Sequence, residues 1–418
     1  MNESHRVAAP KRRSLIKAAT GATALAALPF PAIVRAQSGP LNVGVLLPVS
    51  GVQAQIGQSC KLGIDIAPAA LAELGYTAPI KVMFADTETN VDVARSRAEK
   101  LIAEGANVLI GPFDSGAAGA IAQVAEQKGV PFVINIAAAP QITEQGYKFV
   151  FRNFPTSVDL VRNGLALMRD LFQATNTAPR TAVFMHVNDT FGQANRKAID
   201  AILPTLNYLP FKVVDTISYD PAAKDLSVEV AKAKATNPDF LMLVCRLNDA
   251  ILLRREMVKQ RWNPMGIIGP GNPGMYEAQY FKALGKLSDY SISNVPWYNP
   301  RSPVTAKVES AFAKAYPQDK MMFHALNVGF SFEAMMIAAD AYKRAGSTAG
   351  KALADAIRAT DIQTRMMIGG PIRFNAKGQV EGIASAAIQN LEQQPKVVLP
   401  AASAQAKPVF PQPDYKKA

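Results

Sequence analysis

A serine at the start of an alanine-rich stretch is the first feature of this sequence that could bind a ligand. Asp114, Ser115 and Gly116 follow a short apolar run, and a helix is expected to begin near Ala117. The first N–H groups of a helix have no partner within the helix and carry the positive end of its dipole. Ser115 and Gly116 are therefore predicted to bind an anion, for which we expect a small carboxylate. In the alternative interpretation, Ser115 only caps the helix.

Few residues of the sequence could catalyse a reaction. Past the N-terminal segment the histidines are His186 and His324, and neither has the spacing of a metal cluster or of a nucleophile motif. His186 lies between Met185 and Val187, which favours a packed histidine over a base. We therefore predict that the protein is not an enzyme and uses no cofactor or metal. A hydrolase is the alternative.

The N-terminus has the pattern of an export signal. Arg12 and Arg13 precede an Ala- and Leu-rich run, and Ala36 ends a small-residue cleavage pattern. A twin-arginine signal over residues 1–36 is therefore predicted, with a general secretory signal as the alternative. No later stretch approaches the roughly 20 apolar residues that a membrane span needs. The mature protein is expected in the periplasm and is not expected to span the membrane.

Charge and cysteine content exclude further classes. The formal net charge is +12, and residues 1–36 contribute six Lys or Arg and one Glu, which leaves +7 for the mature chain. Without a block of Lys and Arg this charge does not indicate nucleic-acid binding. Cys60 and Cys245 lie among apolar residues and are expected to be buried free thiols, although an exported protein could pair them.

Apolar runs and amphipathic stretches alternate along the chain, which is typical of an α/β protein. Strands are predicted at 41–47, 80–84, 108–110, 181–187, 211–219, 239–245 and 265–269. Helices are predicted at 57–73, 91–104, from 117, and at 158–174, 193–202, 224–235, 249–260, 304–316, 324–344 and 351–359. The roughly 380 residues after the signal are too many for one core, so two parallel-sheet lobes are expected.

Several short motifs occur in a characteristic order. They are VGVLLPVSG at 43–51, Asp86, LIGPFDS at 109–115, AAAP at 137–140, FR at 151–152, FG at 191–192, IGP at 268–270, and GP at 370–371 with Phe374 and Gly378. In this order and spacing the sequence resembles the leucine/isoleucine/valine-binding family, the periplasmic substrate-binding proteins of ABC transporters. The resemblance covers nearly the whole mature chain. It implies the type I periplasmic binding fold, in which two Rossmann-like lobes are joined by a multi-strand hinge and close over a ligand.

The resemblance also implies how the chain is divided. Residues 37–155 and 296–367 are expected in lobe one, and residues 156–295 and 368–400 in lobe two. Residues 401–418 are rich in Ala, Pro, Lys and Gln and are expected to form a disordered tail. The implied partners are ABC permease subunits in the inner membrane, with an exported ligand sensor of the same fold as the alternative.

The resemblance assigns ligand-binding roles to several residues. Ser115 matches the serine that binds the ligand carboxylate, and Phe191 takes the place of a tyrosine wall. Ile56 stands where an aromatic residue often covers the ligand. The loop Ala137, Ala138 and Ala139 matches a loop that offers backbone groups and, at its third position, a hydroxyl that is absent here.

Two departures from the family concern the ligand's ammonium group. Gly271 replaces the glutamate that binds it, and Arg246 replaces an aromatic residue. Arg246 is either a surface residue at a strand end or a cleft residue that binds an anionic group. We therefore predict a ligand that carries a carboxylate but no α-amino group, such as an aromatic or dicarboxylic acid, in preference to an amino acid. Asp189 or Asp249 could supply the missing negative charge instead.

Overall fold

The structure is a computed structural model that describes residues 39–272 and 274–415. The predicted export signal, residues 1–36, lies outside this described part. Within it, strands and helices alternate largely as predicted. The elements for which no bounds were predicted are a short helix over Ala278–Leu284 and the strands over Phe132–Ile134, Val150–Arg152, Ile292–Pro296, Ser385–Leu391 and Gln394–Leu399.

The elements are numbered in chain order. The strands are β1 (Leu41–Leu47), β2 (Ile80–Asp86), β3 (Val108–Ile110), β4 (Phe132–Ile134), β5 (Val150–Arg152), β6 (Thr181–Val187), β7 (Lys212–Tyr219), β8 (Phe240–Val244), β9 (Ile267–Pro270), β10 (Ile292–Pro296), β11 (Ser385–Leu391) and β12 (Gln394–Leu399). The helices are α1 (Ala54–Glu73), α2 (Val91–Ala103), α3 (Ser115–Lys128), α4 (Ser157–Ala174), α5 (Thr190–Ile202), α6 (Ser227–Ala235), α7 (Leu247–Lys259), α8 (Ala278–Leu284), α9 (Pro303–Ala315), α10 (Ala325–Ala345) and α11 (Gly350–Arg358).

The first sheet consists of parallel strands in the order β2-β1-β3-β4-β5. The register of its β1–β2 ladder runs from the pair Leu41 and Ile80 to the pair Leu47 and Asp86. Helices α1–α3 and α9–α11 pack with this sheet and with one another. Strands β3 and β4 are fully buried, as expected for parallel strands that are covered on both faces. We call the sheet and these six helices the first lobe.

The second sheet has the order β12-β11-β10-β9-β8-β6-β7. Strand β11 is antiparallel to both of its neighbours, and the other pairs are parallel. Helices α4–α8 pack around this sheet and form the second lobe with it. These two lobes confirm the predicted α/β class with two mostly parallel sheets.

The chain passes between the sheets after Arg152, after Pro296, and again between α11 and β11. The last two passages pair with each other, since the Ile368 N–H donates to the Trp297 carbonyl at 2.8 Å. Residues 372–380 follow the edge of the first sheet, where the Arg152 N–H donates to the Gly378 carbonyl at 2.8 Å. The resemblance implied that this segment belongs to the second lobe. It pairs instead with β5, because β5 is an edge strand of the first sheet and has free backbone groups.

A buried ion pair joins the passages to the first lobe. Glu333 on α10 is fully buried and pairs with Arg365, whose side chain is 3% exposed. The Glu333 carboxylate also accepts from Asn153 Nδ2 at 3.1 Å and from the Met367 N–H at 2.9 Å. One carboxylate thereby fixes the first and third passages relative to each other.

The C-terminal segment corrects the expectation of a disordered tail for residues 401–415. Phe410 is 5% exposed and its ring lies 5.5 Å from that of Phe172 on α4. Gln412 donates its backbone N–H to Met265 O at 2.7 Å and its Nε2 to Pro264 O at 2.8 Å. The polar composition indicated disorder, but one buried ring and these hydrogen bonds anchor the segment to the second lobe.

Both cysteines are buried and free, as predicted. Burial raises the pKa of Cys60 and of Cys245, which keeps both thiols protonated. In the described residues, none of the helices has the length and apolar character that crossing a bilayer requires.

The Glu333–Arg365 pair generates a stability prediction. Arg365→Met should lower the free energy of unfolding by about 3–5 kcal/mol, because Glu333 would stay buried without its cation. Lys351→Met removes a pair between exposed side chains of Lys351 and Asp355 and should cost less than about 1 kcal/mol. Urea unfolding of both variants measures the difference, and two equally small losses would contradict the assignment.

Candidate functional site

The candidate site lies in the cleft where the carboxyl ends of the parallel strands of the two lobes face each other. The loop after β3 contributes Phe113 and Ser115 from the first lobe. Strands β6, β8 and β9 of the second lobe lead into Phe191, Arg246 and Gly271. Parallel strands bring these residues together although they are far apart in sequence.

Arg246 is a buried cleft residue and not a surface arginine. Its side chain is 8% exposed, and its Nη2 and Nε donate to Asp189 Oδ2 at 2.9 and 3.2 Å. The guanidinium lies 4.4 Å from the centre of the Phe191 ring and 5.6 Å from that of Phe113. Although burial opposes it, the charge of Asp189 raises the pKa of Arg246. A permanent positive charge is therefore held between aromatic rings of the two lobes.

An enclosed apolar cavity borders Arg246. Its volume is about 20 Å³. It is lined by Ile56, Phe113, Ile136, Phe154, Leu160, Phe191, Arg246, Gly271, Val295, Leu326 and Asn327. Arg246 is the charged residue in this lining, within the described part of the chain. Because about 10–15 Å³ is enough for only a single water, a ligand the size of an amino acid requires the lobes to move apart.

An open groove of about 800 Å³ lies on the other side of Phe191. Asp114, Ser115, Gly116 and Asp189 line this groove and not the enclosed cavity. Burial raises the pKa of Asp114, against the nearby charge of Arg246. The cleft thus has acidic groups at its outer mouth and a single guanidinium next to its apolar interior.

The start of α3 is already capped by a side chain of the protein. Asp114 Oδ1 accepts from the Gly116 N–H at 2.9 Å and from the Ala117 N–H at 3.1 Å. Ser115 is 2% exposed, and its hydroxyl accepts from the Ala139 N–H at 3.3 Å. The alternative that Ser115 caps the helix is thereby corrected, because Asp114 is the cap. An anion that binds the Gly116 N–H has to displace Asp114, so the anion site at Ser115 and Gly116 stays a prediction.

The loop of Ala137, Ala138 and Ala139 is buried, and its carbonyl groups have partners within the protein. Arg152 Nη1 donates to the carbonyls of Ala139 and Ala137 at 2.7 and 3.3 Å. The Ser157 N–H donates to the Ala138 carbonyl at 2.7 Å. These contacts attach the loop to the first passage between the lobes. Ligand binding by this loop also stays a prediction.

Gly271 has a backbone conformation that would strain a glutamate. Its φ is +79°, and a Cβ atom at this position would lie 2.9 Å from Leu160 Cβ. An L-residue would be strained by the dihedral and would also collide with α4. The conformation of this loop therefore disfavours a glutamate at position 271.

The two carboxylates that could replace it are both engaged. Asp189 pairs with Arg246 and also caps α5, where it accepts from the Gly192 N–H at 2.7 Å. Asp249 accepts from the Arg246 N–H at 2.9 Å and from the Tyr219 hydroxyl at 2.6 Å. Burial raises the pKa of Asp249 to about 6. Neither carboxylate lines the enclosed cavity.

Comparison with known proteins identifies the family. The family model described as "Periplasmic binding protein" matches residues 40–394. The chain belongs to this family.

Curated relatives of this periplasmic binding protein have low sequence identity and long coverage. The leucine-, isoleucine-, valine-, threonine- and alanine-binding protein of Pseudomonas aeruginosa is 22% identical over 82% of this chain and 87% of its own. The Leu/Ile/Val-binding protein homolog 7 of Brucella suis is 23% identical over 90% of this chain and 95% of its own. These relatives confirm the resemblance to the leucine/isoleucine/valine-binding family.

Solved structures agree in fold. A leucine-binding protein from Thermotoga maritima has a TM-score of 0.72 at 21% identity, over 85% of this chain and 97% of that one. An ABC transporter solute-binding protein from R. palustris, solved in complex with benzoate, has the same TM-score and identity over 88% and 98%. The predicted type I periplasmic binding fold is thereby confirmed.

In this periplasmic binding protein, Glu277 is a cleft residue that the sequence reasoning missed. It precedes α8 in the second lobe and is 3% exposed. Its Oε1 accepts from Asn327 Nδ2 at 2.5 Å, and its Oε2 lies 3.1 Å from Ser59 Oγ. Both partners belong to the first lobe. The available signal was a Glu a few residues after the glycine-rich turn at 269–274, in a segment where no helix was predicted.

The histidines have structural surroundings. His186 is fully buried, its Nδ1 lies 3.0 Å from the Val187 carbonyl, and burial lowers its pKa, so it is the packed histidine that was predicted. His324 contacts Ser59 and Asp319 at a second mouth of the cleft. Within the described residues, no group of three or more His, Cys, Asp or Glu could hold a metal ion.

The capping assignment at α3 can be tested by stability. Asp114→Ala should lower the free energy of unfolding by about 0.5–2 kcal/mol, because the Gly116 and Ala117 N–H groups lose their acceptor. Asp114→Asn should lower it less, since an amide oxygen can accept the same bonds. Urea unfolding of these variants and of Ser115→Ala measures the order. A larger loss for Ser115→Ala would identify the serine as the cap.

Proposed function

We propose that this protein is the extracytoplasmic solute-binding component of a branched-chain-amino-acid-type ABC importer. It binds a small carboxylate-bearing ligand in the cleft between its lobes and delivers it to the permease in the inner membrane. Family membership and the export pattern of residues 1–36 support this role. Export by the twin-arginine route places the protein in the periplasm.

The observation that carries the proposed ligand class is the position of Arg246. Its guanidinium borders the apolar cavity and is held to a single oxygen of Asp189. A planar guanidinium can bind a carboxylate through two parallel hydrogen bonds. A ligand carboxylate can therefore take Arg246 over from Asp189 when the lobes separate, with its apolar part among the aromatic and aliphatic side chains.

The missing ammonium partner defines the rest of the ligand. Leaving a buried charge without its partner costs roughly 2–5 kcal/mol, or about 30-fold to several thousand-fold in affinity. Gly271 offers no carboxylate, Ala139 no hydroxyl, and Arg246 repels an ammonium. We therefore infer a preference for an apolar or aromatic acid without an α-amino group. The R. palustris protein solved with benzoate has the same fold, which is consistent with this class.

A ligand series tests the proposal. Calorimetry with leucine, its 2-oxo analogue, benzoate and a dicarboxylate should show tighter binding of an acid that lacks the amino group. Arg246→Gln should weaken the binding of that acid by about 10- to 150-fold, because one charge-assisted hydrogen bond is worth about 1.5–3 kcal/mol. Ser115→Ala is the matched variant, and it tests whether the ligand carboxylate binds at the start of α3 instead.

Two outcomes of this series would overturn the assignment. Micromolar or tighter leucine, with no binding of the deaminated acids, would exclude the ligand class. A loss of affinity in Ser115→Ala without a loss in Arg246→Gln would place the carboxylate at the α3 terminus.

Closure around the ligand is a separate prediction. The enclosed cavity is too small for these acids, so binding requires an open form that closes again once the ligand contacts both lobes. Small-angle scattering should give a smaller radius of gyration at saturating ligand than without ligand. Identical scattering profiles with and without ligand, both matching a form with the lobes in contact, would contradict a binding cycle of opening and closing.

A further inference from the structure

Glu277 crosses the cleft at its second mouth, which shares no lining residue with the open groove of Asp114 and Asp189. It belongs to the second lobe, but its carboxyl group is inserted between α1 and α10 of the first lobe. Ser59 on α1 and Asn327 on α10 are its hydrogen-bonding partners, and they are 3% and 1% exposed. Separation of the lobes must break both contacts and expose the carboxyl group to water.

Glu277 is buried away from the Lys and Arg side chains of the described residues, as far as its ion pairs and the causes of its pKa shift show. Within the described residues, the ion pairs include no Lys or Arg with this carboxyl group, and His324 Nδ1 lies 4.0 Å from Oε2. The other titratable groups that face it are the Cys60 thiol on α1 and the neighbouring Tyr276 phenol. Burial raises the pKa of Glu277 from 4.5 to about 8, and the bonds from Ser59 and Asn327 only partly oppose this.

The number of hydrogens available along a chain of hydrogen bonds also indicates that this site holds an extra proton. His324 Nε2 lies 3.0 Å from Asp319 Oδ2, so this nitrogen donates its hydrogen to that carboxylate. Ser59 Oγ lies 2.6 Å from His324 Nδ1 and 3.1 Å from Glu277 Oε2. A hydroxyl has one hydrogen and cannot donate in both directions.

One additional proton completes this chain. If the proton is on Glu277, the carboxyl group donates a hydrogen bond to Ser59, and the Ser59 hydroxyl donates one to a neutral His324. On His324, the imidazolium donates to Ser59, which then donates to the Glu277 carboxylate. Without the proton, two lone pairs face each other in a buried site, which is costly. Burial also lowers the pKa of His324, which favours the form with the proton on Glu277.

We propose that contact between the lobes takes up one proton into the chain formed by Glu277, Ser59 and His324, so that ligand binding is coupled to protonation. Glu277 is a positioning residue in this scheme, because it acts through the contact between the lobes and not on the ligand. The proposal does not depend on which ligand occupies the cleft.

The direction of the coupling follows from the two states. With the lobes in contact Glu277 has a raised pKa of about 8, and in the open form it faces water with an ordinary pKa near 4.5. The contact state therefore binds the proton more tightly and is favoured at low pH. Below about pH 6.5 the open form holds a proton on His324 instead, so the advantage of the contact state is lost mainly above about pH 6.5, by about tenfold per pH unit until about pH 8. The ligand-bound form closes with this contact re-formed, so ligand affinity should fall over the same range when the ligand-free lobes are mostly apart.

Calorimetry at different pH values tests this coupling. The four acids of the ligand series serve as probes between about pH 6.5 and 8. For any probe that binds, the wild-type affinity should fall about tenfold per pH unit, and the apparent enthalpy should change with the ionisation enthalpy of the buffer. Glu277→Gln imitates the protonated carboxyl group and should bind with little pH dependence. Glu99→Gln, which changes an exposed residue of α2, should keep the wild-type profile.

If none of the four probes binds, small-angle scattering of the protein without ligand tests whether contact between the lobes is coupled to protonation. The wild type should then have a smaller radius of gyration at about pH 5.5 than at about pH 8.5, and Glu277→Gln should have the same value at both. If a probe binds, a wild-type affinity that is independent of pH overturns the inference; if none binds, a wild-type radius of gyration that is independent of pH overturns it. Failure of all four probes by itself counts only against the proposed ligand class.

Discussion

The burial of one guanidinium between the two lobes determines how the cleft can work. Arg246 cannot lose its charge, so its burial is tolerated only because Asp189 pairs with it and two aromatic rings cover it. Asp189 in turn is held by its capping bond to α5. The position of the charge is thus fixed by the secondary structure around it, and a ligand that enters the cleft has to meet this charge.

The cleft has different chemistry at its two ends. Asp114, Asp189 and Arg246 form a charged end, whereas Glu277 and its neutral partners form the other, with apolar side chains between them. Asn327 connects the two regions, because it borders the apolar cavity and also donates to Glu277. Asn327 therefore belongs both to the lining of the apolar cavity and to the contact that holds the lobes together.

The sequence predicted the fold well because its signals were local. Apolar periodicity located most helices and strands, and the order of short motifs indicated two lobes. The resemblance assigned Phe191 and Ile56 to the ligand cleft, and both line the apolar cavity; for Arg246 the sequence left a surface position and a cleft position open. The cap of α3 was harder, because Asp114 and Ser115 are both good capping residues and only the orientation of the first turn distinguishes them. The C-terminal segment was misjudged because its average composition concealed the buried ring of Phe410.

Glu277 could not be found in this way. Helix α8 has seven residues, too few for a clear period, and it follows a segment rich in Gly and Pro. Its contact with Ser59 spans 218 residues of sequence and that with Asn327 spans 50. Neither the polarity nor the spacing of Glu277 distinguishes it from an exposed glutamate; only the packing of α1 and α10 around it does.

The left-handed backbone at Gly271 has a consequence for how ligand preference can change in this family. Restoring a glutamate there is a single replacement in the sequence, but the new side chain would have to begin 2.9 Å from Leu160 Cβ and on an unfavourable dihedral. A glutamate at this position would therefore be strained unless the turn after β9 and the neighbouring Leu160 also changed. With the proposed ligand class, selection against an ammonium group depends on the path of the main chain at Gly271 and not on a single side chain.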